Sequence, residues 1–308
     1  MLGTLNAASH QLPPPGSINV DHVAHFVPDS ERAAAALTQL GFTLTPFSVQ
    51  AHRLTPDGPL VPAGTGNRCV MLERGYIEFL VPLAETPIAD QLRTAMQRYV
   101  GVHLIAFGTA AAENDHARLV REGFAPQVPI ALQRPIATEG GTDTARFTVV
   151  RVAPGTMPEG RIQYCQQVTP ELVWQPRWLT HANGATGLTS VLLCVADPAE
   201  AAQRYARYTG LATAARNAAW EIETARGRLL FVDNATLARG LGIRPPALPW
   251  IAGYSIASHD LAATRAYLQV AGVVAVELAG GRIMVTMPDA LGGLVLFEDA
   301  GSGRFEFT

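Results

Sequence analysis

Apolar and polar positions along the chain follow one pattern four times over. An apolar run ends in a small or acidic residue, an Ala-rich stretch with helical spacing follows, a Gly-containing break stops it, and further short apolar runs come after. Fixed-period self-similarity of this kind marks a repeated structural unit. The first copy opens with "INVDHVAHFVPD" and continues into "SERAAAALTQL". Asp29 and Ser30 supply an N-cap, Glu31 an acidic first turn and Gly41 a stop, so this stretch reads as a helix. "FTLTPFSVQAHR", "NRCVMLE" and "YIEFLVPL" then read as three strands. The second copy runs from "GVHLIAFGT" through "AENDHARLVREG" to "APQVPIALQRPI", "DTARFTVVRVA" and "RIQYCQQV". The third starts at "GLTSVLLCVADP" with its helix in "AEAAQRYARYTG". The fourth starts at "IAGYSIASHD" with its helix in "LAATRAYLQVAG".

Each copy is therefore β-α-β-β-β. A single such unit leaves one apolar sheet face uncovered. Two units side by side cover it and make a curved, cleft-like sheet, and four make two paired domains of α+β class. The predicted layout is an extended N-terminal arm (1–16), a first domain (17–168), a Pro/Trp-rich linker (169–185, "TPELVWQPRWLTHANGA") and a second domain (186–308). A further irregular connection, "ATLARGLGIRPPALP", joins the third and fourth copies, with Pro245 and Pro246 set against continuing helix there.

Composition narrows the function classes. The 308 residues are 48% hydrophobic, enough for a substantial core, and the formal net charge of −3 leaves no basic footprint for nucleic acid. Cys69, Cys165 and Cys194 have no metal-type spacing and suggest a reducing compartment. No apolar stretch approaches a membrane span, and the N-terminus lacks the pattern of a secretory signal. A cytoplasmic protein acting on a small molecule, as monomer or homodimer, is the expectation.

Candidate chemistry starts from the two histidines of "VDHVAHFVPD". Strand side chains alternate between faces, so His22 and His25 point to opposite sides and cannot share an ion. His22 lies seven residues before Asp29, and His103 seven before Ala110 in the second copy, which places the two at equivalent positions across a pseudo-twofold axis. The last strands of the two copies carry Glu78 in "YIEFL" and Gln163 in "RIQYC". A carboxylate on so apolar a strand is costly unless it is paired or bound to a cation. His22, Glu78, His103 and Gln163 thus form a candidate donor set for a divalent transition metal (Zn, Ni, Co, Mn or Fe(II)).

The fourfold grammar with polar residues at these slots resembles the vicinal oxygen chelate superfamily, and in particular its glyoxalase-like members, over nearly the whole chain after residue 17. In bacterial glyoxalase I the ligands fall as His, Glu, His, Glu on the corresponding strands. Gln163 departs from that pattern. The resemblance implies a metal-dependent lyase or isomerase whose substrate chelates the metal through adjacent oxygens, with Glu78 as ligand and base. Extradiol-type dioxygenase chemistry and metal-free capture of small molecules are the alternatives. The second pair of units carries Ser190 and Gly253 at the histidine slots and reads as lacking a metal site. His181, in the linker, is a candidate for proton handling, and Arg53, Arg68 and Arg146 are candidates for pairing with a substrate carboxylate. Cys165 reads as packing, and "GTGNR" lacks the context of a phosphate loop.

Overall fold

A computed structural model describes residues 11–53, 58–301 and 305–307. The first copy holds β1 (Ile18–Phe26), α1 (Ser30–Gln39), β2 (Ser48–Arg53), β3 (Leu60–Met71) and β4 (Tyr76–Pro82). After a helix α2 (Pro87–Met96), the second copy holds β5 (Gly101–Thr109), α3 (Ala112–Arg121), β6 (Ile130–Thr138), β7 (Gly141–Arg151) and β8 (Arg161–Gln167). A short helix α4 (Pro170–Val173) leads into the third copy: β9 (Ala185–Cys194), α5 (Pro198–Thr209), β10 (Thr213–Arg216), β11 (Ala219–Glu223) and β12 (Arg228–Val232). Helix α6 (Asn234–Leu241) joins it to the fourth: β13 (Trp250–Ser258), α7 (Leu261–Val270), β14 (Val276–Glu277), β15 (Ile283–Thr286) and β16 (Leu294–Asp299). The first ten residues of the expected N-terminal arm lie outside the described residues.

The repeat is built as its caps predict. Asp29, Asp197 and Asp260 each accept backbone N–H bonds from the first turn of α1, α5 and α7. Gly41 takes the left-handed conformation (φ +90°) that ends α1. Two of the connections between copies are helical. The join between the first two copies is helical, because Thr86 caps α2 and Pro87 sits in its first turn, where a missing N–H costs nothing. The join between the third and fourth copies begins as α6, capped by Asp233 and stopped at Gly242 before the proline pair.

The first two copies close into a barrel rather than an open cleft. Its strand order is β1-β4-β3-β2-β6-β7-β8-β5, with β5 back against β1. The seam between β2 and β6 is narrow: Ala51 opposes Gln133, and His52 opposes Leu132. Each copy supplies a contiguous half of the wall. The third and fourth copies form an open sheet, β10-β11-β12-β9-β13-β16-β15-β14. Antiparallel β1/β5 and β9/β13 are the two central pairings, and β5 touches β13 through Val102 and Ile251.

The two pairs bury a common core between barrel and helices, running from Val20, Val23 and Phe107 to Tyr254 and Phe297. His25 belongs to this layer. Its Nδ1–H donates to the Leu291 carbonyl (2.9 Å) and its Nε2 accepts from the Tyr254 hydroxyl (3.1 Å), so it ties the barrel to the fourth copy. The concave face of the second pair is filled. Leu192, Leu230, Trp250 and Leu296 pack there with Phe305 and Phe307 of the C-terminal tail. Arg228 holds the Phe305 carbonyl at 2.8 Å.

Candidate functional site

The barrel encloses a cavity of about 680 Å³, within the range of small-molecule sites. His22, Glu78, His103 and Gln163 all line it. Helix α2 contributes lining from Pro87 to Ala95. The linker packs Val173 and Trp174 onto Cys69, Met71 and Tyr76, of which Cys69 and Tyr76 also line the cavity. Among the described residues, no helix is long and apolar enough to cross a membrane.

The wall from the first copy carries a buried acid–imidazole pair. Asp21 is fully buried and is the extra residue of a bulge in β1, between Val20 and His22. Its Oδ2 accepts His22 Nδ1–H at 2.7 Å and Gln167 Nε2–H at 3.0 Å. A carboxylate only accepts, so the neutral imidazole carries its proton on Nδ1 and its lone pair on Nε2. Gly75 makes room for this bulge: its φ is +79°, and a Cβ there would meet the Asp21 carbonyl at 2.7 Å. His22 opposes Tyr76 in the β1–β4 register, and the two rings stack with centroids 4.2 Å apart. Burial, with the negative charge of Asp21 nearby, pushes the Tyr76 phenol well above its ordinary range, so it remains an un-ionised hydroxyl. Glu78 lies two residues on. Its Oε1 accepts from the Asn67 amide and, at 3.4 Å, from Gln50.

The wall from the second copy is cationic. Arg134 on β6, Arg151 on β7 and Arg161 on β8 are half-buried and line the cavity. Arg151 Nε–H donates to Gln163 Oε1 (3.1 Å), and Arg161 donates to Gln91 Oε1 (2.9 Å) while covering the Phe26 ring. Burial lowers both guanidinium pKa values, that of Arg161 to about 9. Cys69 and Cys165 also line the cavity, and burial pushes the Cys69 thiol up to about 12 and that of Cys165 well above its ordinary range. Both are protonated and poor nucleophiles.

His103 differs from the sequence expectation by one position. It is the extra residue of a bulge in β5, between Val102 and Leu104. The N-cap of α3 is Ala111, not Ala110, so His103 stands eight residues before its cap, as Asp21 does before Asp29. The pseudo-equivalent of His103 is therefore Asp21, and that of His22 is Leu104. Glu78 and Gln163 do correspond, opposing Ala24 and Ala106 in matching registers. His103 Nε2–H donates to the Tyr99 carbonyl at 2.8 Å, its ring stacks on Tyr99, and its Nδ1 is buried without a partner. Burial lowers its pKa to about 4.

A divalent metal does not fit this arrangement. Among the described residues, no three His, Cys, Asp or Glu side chains come close enough together to hold an ion. The Gln163 oxygen, the proposed fourth donor, is occupied by the Arg151 guanidinium. A divalent ion on that oxygen would also be repelled by the guanidinium charge beside it.

His181 lies away from the cavity. Its Nδ1 accepts the Thr43 backbone N–H (3.1 Å) and its Nε2–H donates to the Met71 carbonyl (2.8 Å), so both nitrogens clasp the linker to the barrel. Arg68 pairs with Glu31 outside the cavity, and Arg146 is exposed. Arg53 is the last residue of β2, and its side chain lies outside the described residues. Sequence reasoning missed the arginines that do face inward. Arg161 was readable, because it shares a strand face with Gln163 and Cys165 in "RIQYCQQ".

The glyoxalase-like domain family matches residues 20–209. No curated protein matches the chain significantly. Among solved structures, a hypothetical protein from Staphylococcus aureus aligns with a TM-score of 0.62 at 11% identity, covering 92% of this chain and 99% of that one. A mutant of 4-hydroxymandelate synthase from Streptomyces coelicolor aligns with a TM-score of 0.55 at 14% identity, over 96% of this chain and 95% of that one. A fusion protein of a xylose isomerase-like TIM barrel and 4-hydroxyphenylpyruvate dioxygenase aligns with a TM-score of 0.57 at 13% identity, over 95% of this chain and 51% of that one. At these identities the likeness is one of fold.

Proposed function

This chain belongs to the glyoxalase-like domain family of the vicinal oxygen chelate superfamily, and from that premise we propose that it is a proton-transfer enzyme of isomerase or lyase type, with His22 as its base. The buried Asp21–His22 pair on the cavity wall carries this reading. Asp21 fixes the tautomer that leaves Nε2 basic, and it stabilises the imidazolium formed when that nitrogen takes a proton. The substrate has a C–H bond beside a carbonyl. The C–H electron pair moves into the carbonyl to give an enolate, and the proton passes to Nε2. Return of the proton to the other face of the same carbon completes an epimerisation, and departure of a group β to the carbonyl with its bonding electron pair, as the enolate electrons form the new C=C bond, completes an elimination. Tyr76 supplies a hydroxyl beside the base that can donate to the developing oxyanion.

The superfamily generally works through a divalent metal, and the dioxygenase neighbours share this fold. The cation-lined wall and the guanidinium on Gln163 argue against carrying that chemistry over, so the proposed step runs on the chain's own residues. The test is solvent deuterium exchange into carbonyl compounds, neutral and anionic, followed by proton NMR. Wild type is expected to exchange the α-hydrogen of at least one, with no loss in chelator. His22→Gln should lower the rate by about 100-fold or more, and Asp21→Asn by about tenfold or more. Exchange that needs added metal, or a His22→Gln variant as fast as wild type, removes the proposal.

A further inference from the structure

Four arginines line the cavity. Arg98 is exposed and donates to the Pro158 and Pro249 carbonyls, whereas Arg134, Arg151 and Arg161 stand on the strands. Among the described residues, Arg134, Arg151 and Arg161 have no carboxylate within ion-pair distance. The two carboxylates that line the cavity are Glu78 and Asp90. Glu78 is hydrogen-bonded to Asn67 and Gln50 on the other wall, and Asp90 is exposed and paired with Arg93. Each guanidinium has five N–H donors. Arg151 and Arg161 each spend one on a glutamine side-chain oxygen. None of their nitrogens is sealed from the cavity without a partner. Desolvating positive charge without a contact partner is costly; burial lowers the pKa values of Arg151 and Arg161, and the charge of Glu78 offsets only part of that.

The same wall is apolar between its charges. Leu132, Phe147, Val149 and Ile162 line the cavity beside the guanidinium groups, and Arg134 lies over the Phe147 ring at 5.9 Å. Planar forks of N–H donors match a carboxylate bidentately.

We infer that Arg134, Arg151 and Arg161 form a binding subsite for the carboxylate of an organic acid with an apolar body, which the cavity holds against the His22 wall. The inference rests on the proposed function only in naming its substrate class, and the subsite stands as a binding site without it. The guanidinium groups hold the carboxylate, and the leucine, valine and phenylalanine surface takes the hydrocarbon part.

The test is calorimetric binding to the full chain of 3-phenylpropionate, its neutral amide and inorganic phosphate. The acid is expected to bind about tenfold or more tighter than the amide and tighter than phosphate. Arg151→Met and Arg161→Met should each weaken the acid by about tenfold and leave the amide unchanged. Arg151→Lys, which keeps the charge but loses the planar fork, should restore part of the affinity and serves if the Met variant fails to fold. Equal binding of acid and amide, no saturable binding of the acid, tighter phosphate, or folded arginine variants that bind the acid as wild type does, would each overturn the subsite. His22→Gln should bind the acid normally. Acid binding without any proton exchange keeps this subsite and removes the catalytic proposal, whereas proton exchange without saturable acid binding does the reverse.

Discussion

His22, His25, His103 and His181 show how one residue type serves different ends within a single fold. Two of them line the cavity and two are structural clasps, and hydrogen-bond partners separate the roles. His25 and His103 are both held neutral by burial, with pKa values lowered to about 4. The unfolded chain takes up these protons below its ordinary histidine pKa of 6.5, while the native state resists until about pH 4. Stability contributed by the neutral forms is therefore complete above pH 6.5 and is lost as pH falls from there toward 4. For His25 the shift corresponds to about 3 kcal/mol. Chemical denaturation at pH 7 and pH 4.5 should show this loss, and His25→Gln, less stable at pH 7, should lose less between the two. An equal acid loss in both proteins would show that His25 does not carry it. The offset between His22 and His103 was not readable in the sequence. A bulge adds one residue without changing the apolar pattern, so counting along "GVHLIAFGTA" gave no sign that the α3 cap falls at Ala111.

Elements were more legible than residues. The Asp-capped helices and their strands follow the written pattern because cap, amphipathic face and Gly stop agree with one another. Helix α2 carried similar signals, Thr86 followed by Pro87, but it falls outside the four-copy grammar and was passed over. The filling of the second concave face was not legible either. Nothing in "GRFEFT" shows that Phe305 and Phe307 fold back onto Leu230 and Leu296, because that contact is long-range. Leu192, Leu230 and Leu296 stand where the barrel has Ala24, Glu78 and related positions, and Phe305 and Phe307 pack with them. Phe307 is almost fully buried. Phe307→Ala is expected to cost about 3 kcal/mol in chemical denaturation. An effect below about 0.5 kcal/mol would mean that the tail does not pack there in solution.

At the scale of the whole molecule, four copies of one unit divide the work. One pair closes around a cavity, and the other is filled and braces it through His25, Tyr254 and the shared core. Net charge conceals the result. The chain is slightly acidic overall, at −3, yet Arg134, Arg151 and Arg161 make the inner wall of the second copy positive. Alternation along strands sends side chains inward or outward regardless of total charge, so composition offered no view of this field. On the proposed reading, the cavity suits an organic anion and a histidine base rather than a metal ion. Elemental analysis tests it most directly, on wild type and His103→Ala purified without chelator, exposed to Zn, Ni, Co, Mn and Fe(II), and desalted. No stoichiometric metal is expected in either protein. Near one equivalent in wild type, lost in His103→Ala, would contradict this reading.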